Sequence, residues 1–121
     1  MANLTNEQII DLYEGLSEIS EDKELKFKAT LSFTLAKNRN LLKPIYDSIM
    51  ETRQRLIEKY GERNDEGWLI PNDRIESFKH EFEALMFTKT YVTTEEIAIE
   101  TFSDERIGTE LMEKLLPIIQ K

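Results

Sequence analysis

The residue types that most often carry chemistry are scarce in this chain. It contains one histidine, His80, and no cysteine, which excludes thiolate zinc sites and cysteine nucleophiles. Glu76, His80 and Glu83 are spaced by four and three residues, which places them on one flank of a predicted helix. A stable metal site needs more ligands than this flank offers. We interpret the three side chains as a solvated helix edge and predict no metal and no cofactor.

Other catalytic motifs are missing as well. The serines share a single histidine as a possible base, and none lies in a Gly-x-Ser-x-Gly turn. The chain carries 24 acidic residues, so carboxylate pairs arise by chance on any exposed helix. Its four glycines are scattered and form no Gly-x-x-x-x-Gly-Lys phosphate loop. We therefore predict a binding protein, not an enzyme.

Charge is the most informative feature of the composition. The net charge is −8, yet residues 1–22 hold six acids and no base, whereas residues 23–43 hold six bases and one acid. Four of the early acids recur at helical spacing and form an acidic stripe: Glu7, Asp11, Glu14 and Glu18. Five bases form the candidate binding surface that we call the basic segment: Lys26, Lys28, Lys37, Arg39 and Lys43.

Two interpretations of the basic segment remain open. Its side chains, Arg39 above all, can bind a phosphate or an acidic protein surface. Alternatively, they complement the acidic stripe, within the subunit or across a dimer. Because the protein as a whole is acidic, we expect no direct nucleic-acid binding. Trp68 is also a candidate contact residue, although a half-buried core position is the favoured interpretation.

Hydrophobic patterning predicts a mainly helical α+β fold in a single domain, 1–121. Thr5 and Gln8 form a capping box for a first helix. Residues 29–60 form a long helix that ends at Gly61, and Pro44 within it predicts a kink or an irregular turn near 40–44. Asn38 and Thr52 stand at polar positions in its apolar seam, where they either fix the register of a self-paired helix or face solvent.

The remaining predicted elements are two or three shorter helices and a small antiparallel sheet. We expect a short strand near 24–28, a polar loop over 61–67 and a strand over 68–70. Asn72 or Asp73 caps a third helix, and segments 88–93 and 97–102 pair as a hairpin. Thr109 caps a last helix, which bends or frays at Pro117.

The composition also bears on location. A chain without cysteine is typical of a reducing compartment, and no apolar run approaches the length of a membrane span. The N-terminus MANLTNEQ lacks the basic and apolar regions of a signal peptide. We expect a cytoplasmic protein without membrane contact.

Three stretches resemble a family of small uncharacterised proteins encoded by phages and prophages of Gram-positive bacteria. They are AKNRNLLKPIYDSIMETRQRLIEKYGERNDEG (36–67), LTNEQIIDLYEGL (4–16) and FKHEFEALMFTKTYV (78–92). The resemblance implies a phage origin, and hence the host cell cytoplasm, but no mechanism. By analogy, we expect an accessory protein for host interaction or counter-defence that binds a host protein or a charged metabolite, with a homo-oligomer as one form of assembly. The alternatives are a virion-assembly or tail-region accessory protein or chaperone, and an acidic nucleic-acid mimic.

Overall fold

The computed structural model describes residues 2–22, 26–102, 105 and 107–120, and within these it has the predicted α+β, mainly helical fold. The four α-helices of this part are α1 (Asn6–Glu21), α2 (Ala29–Tyr60), α3 (Ile75–Phe87) and α4 (Thr109–Leu115). The strands are β1 (Ala2–Thr5), β2 (Glu62–Asn64), β3 (Gly67–Leu69), β4 (Lys89–Val92), β5 (Ile97–Ala98) and β6 (Ile119–Gln120). Short 3-10 turns occupy Ile99–Phe102 and Leu116–Ile118.

Helix α1 begins as the sequence predicts. The Thr5 hydroxyl accepts a hydrogen bond from the Gln8 backbone N–H at 3.1 Å, and the Gln8 side chain accepts one from the Thr5 N–H at 2.9 Å. This capping box is confirmed. All five predicted apolar positions of the helix are buried: Ile9, Leu12, Tyr13, Leu16 and Ile19.

Helix α2 has the predicted bounds and ends at Gly61, whose N–H donates to the Ile57 carbonyl at 2.7 Å. The irregular turn expected near 40–44 is absent, because the helix continues through Pro44 without a break. The strand expected near 24–28 is wrong over 26–28, which is neither helix nor strand, and residues 24 and 25 lie outside the described residues. Regular structure in this part of the chain begins only at Ala29, the first residue of α2.

Strand pairing differs from the prediction. β1 pairs antiparallel with β4, and β5 pairs parallel with β6, so the hairpin expected between 88–93 and 97–102 is wrong. The predicted polar loop 61–67 is also wrong in part, because β2 and β3 pair antiparallel across a two-residue turn. Gly67, at φ 121°, occupies a backbone conformation that favours glycine.

Helix starts are less regular than predicted. The N-cap of α3 is Arg74 and makes no side-chain cap bond, so the caps proposed at Asn72 or Asp73 are wrong. The N-cap of α4 is Gly108 and Thr109 is the first residue of the helix, so the cap predicted at Thr109 is also wrong. The disruption expected at Pro117 is confirmed, since α4 gives way there to a 3-10 turn.

The core lies where α1 packs against α2 on one side and α4 on the other. Two buried asparagines join its parts through side-chain hydrogen bonds. The Asn38 side chain donates to the Glu95 carbonyl at 2.9 Å and accepts from the Glu95 N–H at 2.8 Å. Asn6 donates to the Leu85 carbonyl at 2.9 Å and accepts from the Thr90 hydroxyl at 2.9 Å.

Candidate functional site

The basic segment does not form one cluster in the structure. Lys26 and Lys28 are exposed in the stretch that leads into α2, and neither side chain has an ion-pair partner within 4.0 Å among the described residues. The Lys28 backbone is held at both ends, since its N–H donates to a Glu105 carboxylate oxygen at 3.4 Å and its carbonyl accepts from the Ser32 N–H at 2.9 Å. Both ammonium groups are therefore accessible to an external acidic group.

The lysines farther along α2 have internal partners. Lys37 pairs with Glu95, next to the Asn38 hydrogen bonds. Lys43 pairs with Asp47 one helical turn away, at 2.8 Å. The hydrogen bond and the charge of Asp47 raise the pKa of Lys43 above its usual value. Both pairs are partly exposed, so they contribute little to stability and leave the charges available at small cost.

Arg39 contacts the body of the protein. Its Nε donates to the Ser17 hydroxyl at 3.2 Å, and its guanidinium carbon lies 5.7 Å from the centre of the Tyr13 ring. That ring stacks on Tyr46 with centroids 4.2 Å apart. Arg39 also borders a cleft of about 240 Å³ between α1 and α2, which includes Ser20 and Ser32. Part of the Arg39 guanidinium is thus engaged in contacts that hold α2 against α1.

The acidic stripe stays largely unpaired. Glu18 pairs with Lys114 of α4 at 2.7 Å, and this hydrogen bond raises the pKa of Lys114. The other members, Glu7, Asp11 and Glu14, have no ion pair in the described part of the chain. The interpretation that the basic segment neutralises the stripe within one subunit is therefore wrong for the described pairs, since Lys37 and Lys43 use other acids.

Trp68 is separate from the basic segment. It lies on β3, beyond the C-terminal end of α2, and 41% of the residue is exposed. The 17 residues of α2 between Lys43 and Tyr60 alone span about 26 Å. Trp68 is not among the residues of the core cluster, so the favoured core interpretation is wrong. The two parts of the predicted surface cannot form a single small site.

A groove that the sequence analysis did not identify lies on the first half of α2. It is a shallow depression of about 320 Å³ on the helix face opposite the buried seam, and Phe33 and Leu41 are 69% and 39% exposed in it. Its residues lie within the predicted long helix, but that prediction concerned the buried seam, and of the groove residues only Lys37 was selected. The signal was available, because the lining residues follow the three-four spacing of one helix face: Phe33, Ala36, Lys37, Asn40 and Leu41.

Groups suited to metal or acid–base chemistry do not converge in the described residues. Glu76, His80 and Glu83 are exposed on α3, and no set of three or more histidine or acidic side chains in this part of the chain is arranged to hold a metal ion. A cleft of about 440 Å³ between α1 and α4 includes Asp11, Glu110 and Glu113.

Two further findings concern membrane crossing and similarity to known proteins. In the part of the chain that the structure covers, no helix combines the length and the apolar character that crossing a bilayer requires. Comparison of the chain with protein-family models, curated proteins and solved structures finds no match.

Proposed function

We propose that this protein works by binding another protein through the outer face of the first half of α2. This surface, called the partner face, consists of the groove residues Phe33, Ala36, Lys37, Asn40 and Leu41 together with Lys26 and Lys28. In the biological setting that the resemblance implies, the partner is a host protein in the cytoplasm and the chain is a phage or prophage accessory protein. No catalytic step is part of the proposal.

The observation that carries the proposal is the exposure of Phe33. Phe33 is 69% exposed in a groove on the outer face of α2. A polar residue at such a position would cost no stability, so an aromatic residue there points to a role in binding. Aromatic side chains that enter a partner's pocket are typical anchors of protein interfaces. The groove offers an apolar strip about 12 Å long between Phe33 and Leu41, from eight residues of helical rise.

Charge indicates the chemistry of the partner. Lys26 and Lys28 lie seven and five residues before Phe33 and have no ion pair among the described residues. Lys37, within the groove, pairs with an exposed carboxylate. An apolar ridge flanked by acidic side chains would fit this surface. Charge of this kind mainly increases the association rate and the specificity, so we expect binding to weaken as salt is raised.

The test is capture from host lysate followed by measurement with the purified partner. Phe33→Ala and Leu41→Ala remove the apolar anchors and keep a good helix former. Leu116→Ala removes an apolar side chain elsewhere whose exposed fraction, 46%, lies between those of the two anchors. We expect the Phe33 variant to weaken the dissociation constant about 30-fold, the effect of losing about 2 kcal/mol at an anchor. The Leu116 variant should bind like the wild type.

A charge-reversed variant, with Lys26→Glu and Lys28→Glu, separates the effect of charge on the association rate from the effect of the apolar contacts on affinity. We expect a slower association rate with a smaller salt dependence and an unchanged melting temperature. Arg39 is left unchanged because its contacts with Tyr13 and Ser17 would mix binding with stability. If the partner captured by the wild type binds all these variants equally, the partner face is not the binding surface.

One observation favours a second candidate, the acidic nucleic-acid mimic. Glu7, Asp11 and Glu14 follow one face of α1 without ion pairs among the described residues. Such a row presents negative charge to a protein that normally binds phosphates. Competition with DNA for a host DNA-binding protein, reduced by Glu7→Gln with Asp11→Gln, would favour this candidate over the partner face.

A further inference from the structure

Arg39 differs from the other bases of the described chain in its surroundings. Of the described lysines and arginines, only Arg39 and Lys114 are half-buried, and the others are exposed. Lys114 has the Glu18 carboxylate at 2.7 Å, whereas Arg39 has no carboxylate within 4.0 Å in the described part of the chain. A cation that is partly removed from water normally has an acidic partner, because the opposite charge offsets the cost of desolvation. The position of Arg39 therefore suits an acidic group that comes from outside the chain.

The guanidinium of Arg39 keeps donors for such a group. Its Nε donates to the Ser17 hydroxyl at 3.2 Å, which fixes the side chain against α1. Its central carbon lies 5.7 Å from the centre of the Tyr13 ring, and that contact stabilises the charge without accepting the terminal N–H groups. Neither terminal nitrogen donates to a described residue. Together they form the planar fork that binds both oxygens of a carboxylate.

The cleft beside Arg39 offers an apolar surface next to this fork. Its floor consists of three core side chains, Leu16, Ile19 and Leu35. Its volume of about 240 Å³ holds about eight groups of the size of a water molecule, at ~30 Å³ each. Arg39 and Ser32 border the cleft seven residues apart on α2, which is about 10 Å of helix. Because this volume is spread over that length, the cross-section is roughly 25 Å² and suits a ligand one chain wide.

The polar groups of the cleft indicate which anion it suits. Among the described residues that line it, Arg39 is the one base and Asp22 the one acid. A dianion such as a phosphate monoester would bring a second negative charge near Asp22 with no second base to match it. The Ser20 hydroxyl already donates to the Ser17 carbonyl at 2.9 Å, so it is not a spare donor. A single carboxylate therefore fits the cleft better than a phosphate.

We propose that this cleft binds a small monocarboxylate with an extended apolar body, about eight carbon atoms long in all. Its carboxylate accepts from both terminal nitrogens of Arg39, and its body lies on Leu16, Ile19 and Leu35. Of the groove residues of the partner face, only Ala36 also borders the cleft, and the anchors Phe33 and Leu41 do not. The proposal therefore does not rest on the proposed function.

Titration calorimetry of the full chain with octanoate tests the proposal. We expect one octanoate per chain with a dissociation constant of about 1 mM or lower, as for a ligand of roughly ten non-hydrogen atoms at modest efficiency. Octanamide has the same shape without the charge and should bind at least about tenfold more weakly. Butanoate keeps the carboxylate, and its affinity should fall about fourfold for each methylene that it lacks.

Ser32→Leu closes the cleft without changing Arg39. Ser32 is exposed, and its hydroxyl makes no hydrogen bond with a described residue. The larger side chain should weaken octanoate binding at least about tenfold and leave the melting temperature unchanged. Ser48→Leu, at another exposed position of α2 outside the cleft, is the matched control. Arg39→Gln should also weaken binding at least about tenfold, and its melting temperature is measured alongside because it loses the Tyr13 contact.

Nuclear magnetic resonance of the labelled chain locates the bound octanoate. Amide signals of residues 16–22 and 32–39 should change on titration, whereas the indole signal of Trp68 should not. The proposal is overturned if octanoate does not bind at millimolar concentration, if octanamide binds as tightly, or if Ser32→Leu binds octanoate like the wild type. Phe33→Ala should leave octanoate binding unchanged, so the partner face and this cleft are tested separately.

Discussion

Replacement of Asn38 by alanine tests how the middle of α2 is held to the rest of the chain. Asn38 is fully buried, and its side chain makes both hydrogen bonds of a paired contact with the backbone of Glu95, at 2.9 and 2.8 Å. The residue after the buried Thr94 is thereby fixed against the helix. No apolar residue can make this contact, because it requires one donor and one acceptor.

The magnitude follows from what Asn38→Ala leaves behind. Two neutral hydrogen bonds contribute about 1 kcal/mol each, and an unsatisfied backbone group adds about 1–3 kcal/mol where water cannot replace the lost partner. Because Glu95 itself is exposed, we take the lower end of that penalty. The expected loss in the free energy of unfolding is therefore about 3 kcal/mol.

Urea unfolding and calorimetry measure this loss. With an unfolding entropy of about 2.1 cal/mol/K per residue and 121 residues, 1 kcal/mol corresponds to about 4 °C. Asn38→Ala should therefore lower the melting temperature by about 12 °C.

The control is Thr52→Ala, the other polar residue of the predicted seam. Thr52 is exposed, and its hydroxyl donates to the Ser48 carbonyl within its own helix at 2.8 Å. It should change stability by no more than about 0.5 kcal/mol. If Asn38→Ala costs no more than this control, the buried contact is not what fixes the 93–96 connection to α2.

Three further changes test other contacts. Asn6→Ala removes both side-chain hydrogen bonds that join α1 to α3 and β4, and it should cost about 2–3 kcal/mol in urea unfolding. Gly15→Ala places a Cβ about 2.9 Å from the Lys114 Cβ, so the melting temperature should fall despite the better helix propensity of alanine, and an increase would contradict the close packing of α1 on α4. The Tyr60 hydroxyl and a neighbouring lysine lower the pKa of Glu81 below 4.5, which stabilises the fold at neutral pH and is lost as the pH falls through the lowered value. Glu81→Gln should therefore be less stable at neutral pH and lose less stability on acidification, as measured by unfolding at several pH values.

The helices could be predicted from the sequence because their signals are local. The α1 capping box involves residues three apart, and the seam of α2 repeats every three or four residues from Leu31 onward. Tertiary packing then keeps Pro44 inside the helix, where propensity alone predicts a distortion. The β2–β3 hairpin had a local signal as well, in the Gly67 that follows a two-residue turn.

Strand partners could not be read from the sequence in the same way. β1 pairs with a strand more than 80 residues away, and a short strand pattern does not identify its partner. The basic segment illustrates the same limit. Its charges were evident, but only the folded chain shows that Arg39 lies over Tyr13 and that Lys37 meets Glu95.

The partner face has a physical origin in the length of α2. A helix of 32 residues is about 48 Å long, whereas a chain of 121 residues builds one modest core. That core covers one face of α2 as far as Ile49. The opposite face, which carries Phe33 and Leu41, is left over.

A chain under no further constraint would make this leftover face polar, since exposed apolar side chains promote association. Instead, Phe33 and Leu41 interrupt it with apolar side chains that are 69% and 39% exposed. Because both residues lie on a helix whose opposite face is fixed in the core, a partner would meet an apolar surface that is already formed.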